Sequence, residues 1–304
     1  MAVISTANHP KALWPGVKKW FGSQYSDHPL ECLEVFPTIS SDKAYEEYVQ
    51  SKNFGLAREK AQGAAYTVDS DRQGYTYRLV NTAYALGYSI TKEELADNQY
   101  EDVAFNRAAK LARAMRITKE EIAADVFNNG FDSNFALGDG VEFFSQAHPT
   151  ESGNQSNEIT GADLSEASLE DLLILVEQAR DDRNNRIALR GQKLIVPVQE
   201  MFNAERILES TLQNDTANNA VNALRSKGLL PQGYMSWHYL DDADAFFITT
   251  DLPEGTGLIY QERAAVEMDE DMDFKTKNVL HSAYERYAFG AADWRCAFAS
   301  AGAG

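Results

Sequence analysis

Ser145 and His148 share one loop, Asp139-Gly-Val-Glu-Phe-Phe-Ser-Gln-Ala-His-Pro149, the nearest this 304-residue chain comes to a nucleophile beside a base. A serine nucleophile also needs an orienting acid and oxyanion donors, often presented on a Gly-x-Ser-x-Gly turn, and no such turn occurs. The loop therefore reads as structural. The five histidines, His9, His28, His148, His238 and His281, fall in separate segments, and no pair has the i, i+4 spacing of a zinc enzyme. Asp269, Asp271 and Asp273 alternate like the start of a calcium loop, but the glycine at the sixth position and the closing glutamate are missing. A solvated acidic turn is the expectation there, with weak cation binding at a subunit contact as the alternative. Glycine-rich phosphate cradles are absent. Trp237-His-Tyr239 has no basic interleaving, which favours packing over base stacking. The sequence thus predicts no enzyme and no catalytic, cofactor-binding or metal-ligating residue.

Charge narrows the partners. Against 46 acidic residues stand 28 basic ones, a formal net charge of −18. Proteins that grip nucleic acid concentrate Lys and Arg to displace counterions, so specific DNA binding is not expected. Strong negative charge keeps a protein soluble and repels a polyanion. No run approaches the roughly 18 apolar residues of a membrane span, and residues 1–10 lack a basic region followed by an apolar one. Cys32 and Cys296, far apart in sequence, read as two free thiols.

The elements that would have to position any site read as α+β. Residues 1–40 scatter Trp14, Trp20, Phe21 and Phe36 among prolines, which predicts a segment with apolar anchors but no core of its own. Residues 64–68 and 75–80 read as a β-hairpin joined by the turn-rich stretch 69–74. Thr91-Lys-Glu-Glu94 is a capping box. From Tyr100 the apolar positions Val103, Ala104, Ala108, Leu111, Ala112 and Met115 mark one long helical face. Thr118-Lys-Glu-Glu121 repeats the cap, predicting a kink there or two helices in series, with a stop at Asn129-Gly130. Residues 131–162 read as a long polar connection. Ser168 is expected to cap an amphipathic helix, residues 194–196 to form a buried strand, and residues 200–212 the helix after it. Short strands follow over 234–268, with the last at 279–287 and 295–298. There is no internal repeat.

Several short motifs in a fixed order carry a resemblance. They are Ala12-Leu-Trp-Pro-Gly16 followed by Phe21-Gly22, then Gly87-Tyr-Ser-Ile-Thr-Lys-Glu93, then residues 139–149, then an Asn-containing stretch leading into Leu164-Ser-Glu-Ala-Ser-Leu-Glu170. Together they resemble the major head subunit of tailed bacteriophages, in particular the Mu-like group, built on the Hong Kong 97-type capsid fold. The resemblance implies an N-terminal arm (1–40), an extended hairpin loop lying over a neighbouring subunit (41–85) and a peripheral domain with a long spine helix (86–162). It further implies an axial domain (163–262) and C-terminal strands completing both domains (263–304).

The function so implied is self-assembly, through pentamers and hexamers, into the icosahedral head shell that encloses the phage genome. The expected location is the phage head, assembled in host cytoplasm. A portal and a decoration protein are implied as partners, with DNA enclosed but not specifically bound. The arm-like motif arrives within about fifteen residues of Met1, so a separate scaffolding protein and an uncleaved subunit are expected. Some relatives weld subunits through a lysine on the extended loop. Lys52 and Lys60 are the candidates, but nothing nearby identifies a partner. An encapsulin-like shell is the alternative within the fold, and a soluble acidic hydrolase the alternative outside it.

Overall fold

A computed structural model describes residues 10–27, 29–70, 72–96, 100–212, 221–253 and 255–303. In chain order the elements are α1 (Pro10–Ser26), β1 (Thr38–Ser40), β2 (Tyr45–Lys52), β3 (Arg72–Val80), β4 (Thr82–Ile90), α2 (Lys92–Ala96) and α3 (Tyr100–Asn128). A short hairpin follows, β5 (His148–Thr150) and β6 (Gly153–Gln155), then α4 (Glu166–Glu177), β7 (Gly191–Pro197), α5 (Met201–Glu209) and α6 (Ala223–Lys227). The chain closes with β8 (Tyr234–Trp237), β9 (Phe246–Thr250), β10 (Leu258–Met272), β11 (Val279–Ala291) and β12 (Ala297–Ser300). They build two four-stranded sheets, ordered β1-β10-β11-β4 and β12-β9-β7-β8. The class is α+β, as expected.

α3 is one helix of 29 residues with no break at Thr118. Its buried positions, Ala108, Leu111, Ala112, Met115, Lys119, Ala123, Ala124 and Phe127, keep helical spacing straight through the expected cap. The Thr118 hydroxyl donates back to Ala114 O at 3.0 Å, the habit of a mid-helix threonine. The true capping box is upstream: Thr91 N–H donates to Glu94 and Glu94 N–H to Thr91 Oγ1, opening α2. α4 is capped by Ser165, with Ser168 as the reciprocal partner at N3, three residues earlier than the sequence suggested.

The described part of the first forty residues lies across its own subunit, its aromatic anchors entering cores built by other elements. α1 lies along α3, burying Phe21 beside Leu111 and Met115. Phe36 is fully buried and meets Phe127, Trp237 and Phe289 edge-to-face at centroid distances of 5.9, 6.5 and 5.1 Å. Scattered aromatics show no periodicity because each enters a different neighbour. Trp14, the Ala12–Gly16 motif, Val103 and Ala104 have side chains outside the described residues, as do His9 and His28.

The hairpin is also re-paired. Residues 64–68 are not a strand; β2 pairs antiparallel with β3 in their place, from Tyr45 opposite Val80 to Lys52 opposite Arg72. The mostly polar β2 was not legible as a strand, because Glu46, Glu47, Tyr48 and Gln50 sit on a ribbon with little buried surface. The connection over 131–162 is less polar in effect than in composition. Phe143 and Phe144 stack at 4.2 Å and bury against Phe127 and Phe247, which ties the end of α3 to the second sheet.

Candidate functional site: an extended hairpin and its buried polar support

The β2–β3 ribbon projects from a firmly held root. Asn81 Nδ2 donates to Ser41 Oγ and Lys43 O, and its Oδ1 accepts from Gln261 Nε2 at 2.8 Å. Gln261 Oε1 in turn accepts the Tyr48 hydroxyl at 3.0 Å, which binds the ribbon to β10. Two glycines permit close approach. A Cβ on Gly290 would lie 2.9 Å from the Tyr77 hydroxyl, and one on Gly138 would lie 2.9 Å from Thr76 O.

Beyond the ribbon, residues 53–70 are irregular and present Phe54, Leu56, Tyr66 and Val68 to solvent, the last 90% exposed. Four large apolar side chains on one irregular tip are costly exposed surface for an isolated molecule. The tip is tied back at polar points: Arg183 to Asp69 at 2.5 Å and to Ser70 O at 3.0 Å, and Asn185 Nδ2 to Phe54 O at 3.4 Å. A cleft of about 550 Å³ runs between the ribbon and the 181–189 and 251–256 loops. A second exposed apolar point, Phe274, sits on the β10–β11 turn.

The loop that suggested nucleophilic chemistry is otherwise employed. The Ser145 hydroxyl donates to Glu142 at 2.8 Å, and His148 is fully buried. Its Nδ1 lies 2.7 Å from Asp139 Oδ2 and its Nε2 3.0 Å from Asn157 Oδ1, while its ring stacks on Trp294 at 4.4 Å and 4°. Sequence reading had isolated Asp139 and His148 in one motif but not the partners Asn157 and Trp294. The equal nine-residue spacing of Asp139, His148 and Asn157 is the signal that could have drawn Asn157 in.

The remaining candidates stay apart. His238 is exposed and pairs with Glu31 at 2.7 Å. His281 is buried against Tyr88. Asp269 and Asp271 lie along β10, and Asp273 caps the following turn, accepting from Lys275 N–H and the Thr276 hydroxyl, contacts that hold its carboxyl below the usual carboxylate range. Trp237 is core, and its Nε1 donates to buried Glu120 at 3.3 Å. Burial pushes the Glu120 carboxyl up, against the pull of the Trp237 and Cys32 N–H bonds. Cys32 and Cys296 are both free, buried thiols, raised by desolvation. Lys52 is engaged by Glu151 at 2.9 Å, and Lys60 lies 4.9 Å over the Tyr66 ring.

A family model described as phage capsid protein matches residues 78–300, nearly three quarters of the chain. No curated protein matches. Among solved structures, a virus-like particle from Pyrococcus furiosus superposes with a TM-score of 0.57 at 11% identity, covering 94% of this chain and 98% of that one. The capsid of a native GTA particle gives 0.55 at 15% identity, covering 89% of each chain. Microbacterium phage Oxtober96 gives 0.52 at 12% identity, covering 90% of each. At such identities the likeness speaks to fold, and the fold is the Hong Kong 97-type capsid fold. With the family match added to the projecting ribbon and its apolar tip, the chain belongs to the phage capsid proteins and is a capsid shell subunit.

Proposed function

We propose that this subunit is the major head protein, assembling through pentamers and hexamers into an icosahedral shell around the phage genome. The carrying observation is the ribbon of β2 and β3, whose root is fixed by Asn81 and Gln261 and whose tip exposes Phe54, Leu56, Tyr66 and Val68. Repetition of one such contact around a closed shell buries that surface and stabilises every subunit by mass action.

In this reading the arm is the α1 region within 1–40, the extended loop is 41–85, and α3 is the spine of a peripheral domain over 86–162. Residues 163–262 form the axial domain, and 263–304 finish both, since β10 and β11 lie in one sheet and β12 in the other. The chemistry is assembly alone, without catalysis or cofactor. The partners are other copies, a scaffolding protein, a portal and a decoration protein. Assembly takes place in the host cytoplasm and the product is the virion head. The Mu-like group is the subgroup we favour, on the order of the motifs. With a net charge of −18, the enclosed DNA is confined rather than specifically bound. An encapsulin-like shell is not favoured, given the phage family match, nor is a hydrolase, given that Ser145 is bonded to Glu142 and His148 is sealed from solvent.

Electron microscopy and sedimentation of the expressed protein, with and without its neighbouring genes, test the proposal. Rings or closed shells are expected. A strictly monomeric species at all concentrations, even with a co-expressed scaffold, would overturn it.

A further inference from the structure

We infer that His148 is a charged positioning residue: a buried imidazolium, clamped between Asp139 and Asn157, that holds the β5–β6 hairpin where it supports the extended ribbon.

Counting hydrogens makes Nε2 a donor and puts one further proton between Nδ1 and Asp139. Asn157 cannot be turned over, because its Nδ2, with two hydrogens to share, faces three carbonyls, Phe143 O at 2.8 Å and Trp294 O and Ala297 O at 3.1 Å each. Its Oδ1 already accepts the Ser145 N–H at 2.9 Å. Oδ1 therefore faces His148 Nε2 as an acceptor, and Nε2 must carry hydrogen. On the other side Nδ1 faces the Asp139 carboxylate at 2.7 Å. A neutral imidazole has one N–H and, beside an ionised Asp139, would leave a lone pair against an acceptor at one of these two contacts. With the proton on Nδ1 the imidazolium satisfies both, and Asp139, whose Oδ1 also accepts the Val141 N–H at 3.3 Å as a carboxylate would, balances its charge within the buried site.

The other charged groups near the ring are committed elsewhere. Arg295 also lies over the Trp294 ring, at 4.3 Å, but is neutralised by Asp182 at 2.8 Å and Asp293 at 3.1 Å. Glu142 is bonded to the Ser145 hydroxyl. Asp139 is thus the one carboxylate bonded to the ring among the described residues.

Residues adjoining each end of the pair touch the ribbon. His148 begins β5, and the next residue, Pro149, accepts the Tyr75 hydroxyl at 3.1 Å, while Glu151 pairs with Lys52. Gln155 on β6 donates to Asp181 O at 3.0 Å. Asp139 follows Gly138, whose missing side chain lets that loop lie on the backbone of Thr76. Removing the second proton breaks one of the two ring bonds. It thereby loosens the hairpin that braces β2 and β3.

Two measurements on the full-length protein test this, and neither requires a shell to form. The first is ¹⁵N nuclear magnetic resonance of histidine-labelled protein near neutral pH, with His148 assigned by comparison with His148→Gln. Hydrogens on both ring nitrogens are expected. One bare nitrogen, whether at Nε2 or at Nδ1 beside a protonated Asp139, would overturn the charged assignment.

The second is limited proteolysis of residues 148–155 as pH rises, in the native protein and in Asp139→Asn. The amide introduced by this substitution can donate to Nδ1 of a neutral ring, so the variant keeps the shape without the charge. Cleavage of the native protein should accelerate roughly tenfold as the ring loses its charge, the scale of one buried charge-assisted bond. Asp139→Asn should stay flat across the same range. Parallel profiles in the two proteins would reduce His148 to a packing role and overturn the proposal.

Discussion

Lys119 Nζ lies 2.6 Å from Glu285 Oε2, with 4% of the lysine side chain and none of the glutamate exposed. The lysine comes from α3 and the glutamate from β11. Tyr25 of α1 donates to the same carboxylate at 3.2 Å, and Lys119 also reaches the hydroxyls of Tyr25 and, on β10, Tyr260. One buried pair therefore pins the N-terminal helix and the long helix to the main sheet. Burial pushes Glu285 up, opposed by the ammonium beside it; burial alone would discharge Lys119, but Glu285 and Tyr260 together outweigh it and keep the lysine charged.

Breaking this pair on one side should be far costlier than replacing both partners. Glu285→Ala strands a buried ammonium and is expected to lose about 3–5 kcal/mol of stability. The double variant Lys119→Met with Glu285→Met should lose clearly less than the sum of the single ones. Urea denaturation of the four proteins measures the coupling, and simple additivity would mean the pair does not act as a unit.

Phe36→Ala should destabilise the whole subunit by about 3–5 kcal/mol, because the ring fills a fully buried site among three other aromatics. Trp20→Ala, on the outer surface of α1 and 43% exposed, should cost well under half as much. Thermal unfolding of both variants checks the contrast. Equal small losses would return residues 31–40 to the status of a loosely laid arm.

Acid should weaken the first sheet through His281. Desolvation holds its folded-state pKa down to about 4, while in the unfolded chain it sits near the ordinary histidine value. Between about pH 6.5 and 4 the unfolded chain binds the extra proton, so stability falls as pH drops through that window. His281→Phe should flatten the stability–pH slope there, a comparison made by denaturant titration at several pH values. An unchanged slope would place the acid sensitivity in other groups.

Replacing residues 54–69 with a short glycine-serine turn should leave the subunit folded but unable to form stable shells. β2 and β3 remain paired and rooted in this variant, whereas a deletion of 64–80 would remove β3 itself. Circular dichroism should keep its helical signal while particles vanish from micrographs. Intact, equally stable particles would show that the tip is not a contact between subunits.

Local patterning was sufficient for several elements. The apolar spacing from Ala108 onward defined the buried face of α3, the 194–196 run defined a buried strand now seen as β7, and Thr91 with Glu94 opened a helix. These signals are local: a period, a cap, a run of apolar residues. The capsid resemblance likewise rested on short motifs in order.

Tertiary structure decided what each buried face meets. Thr118-Lys-Glu-Glu121 has the letters of a cap, yet α3 runs through it because Glu285 and Trp237, both more than a hundred residues away, receive Lys119 and Glu120. Phe36 looked like a stray anchor until α3, β8 and β11 closed around it. β2 was hidden by its polarity and became a strand only through pairing with β3. Asp139 and His148 were conspicuous from the start, but the proton count that gives them a role depends on Asn157 being held by carbonyls of residues 143, 294 and 297. Periodicity records which side of a segment leaves water; the partner on that side is chosen by chain closure over long separations, where no local pattern extends.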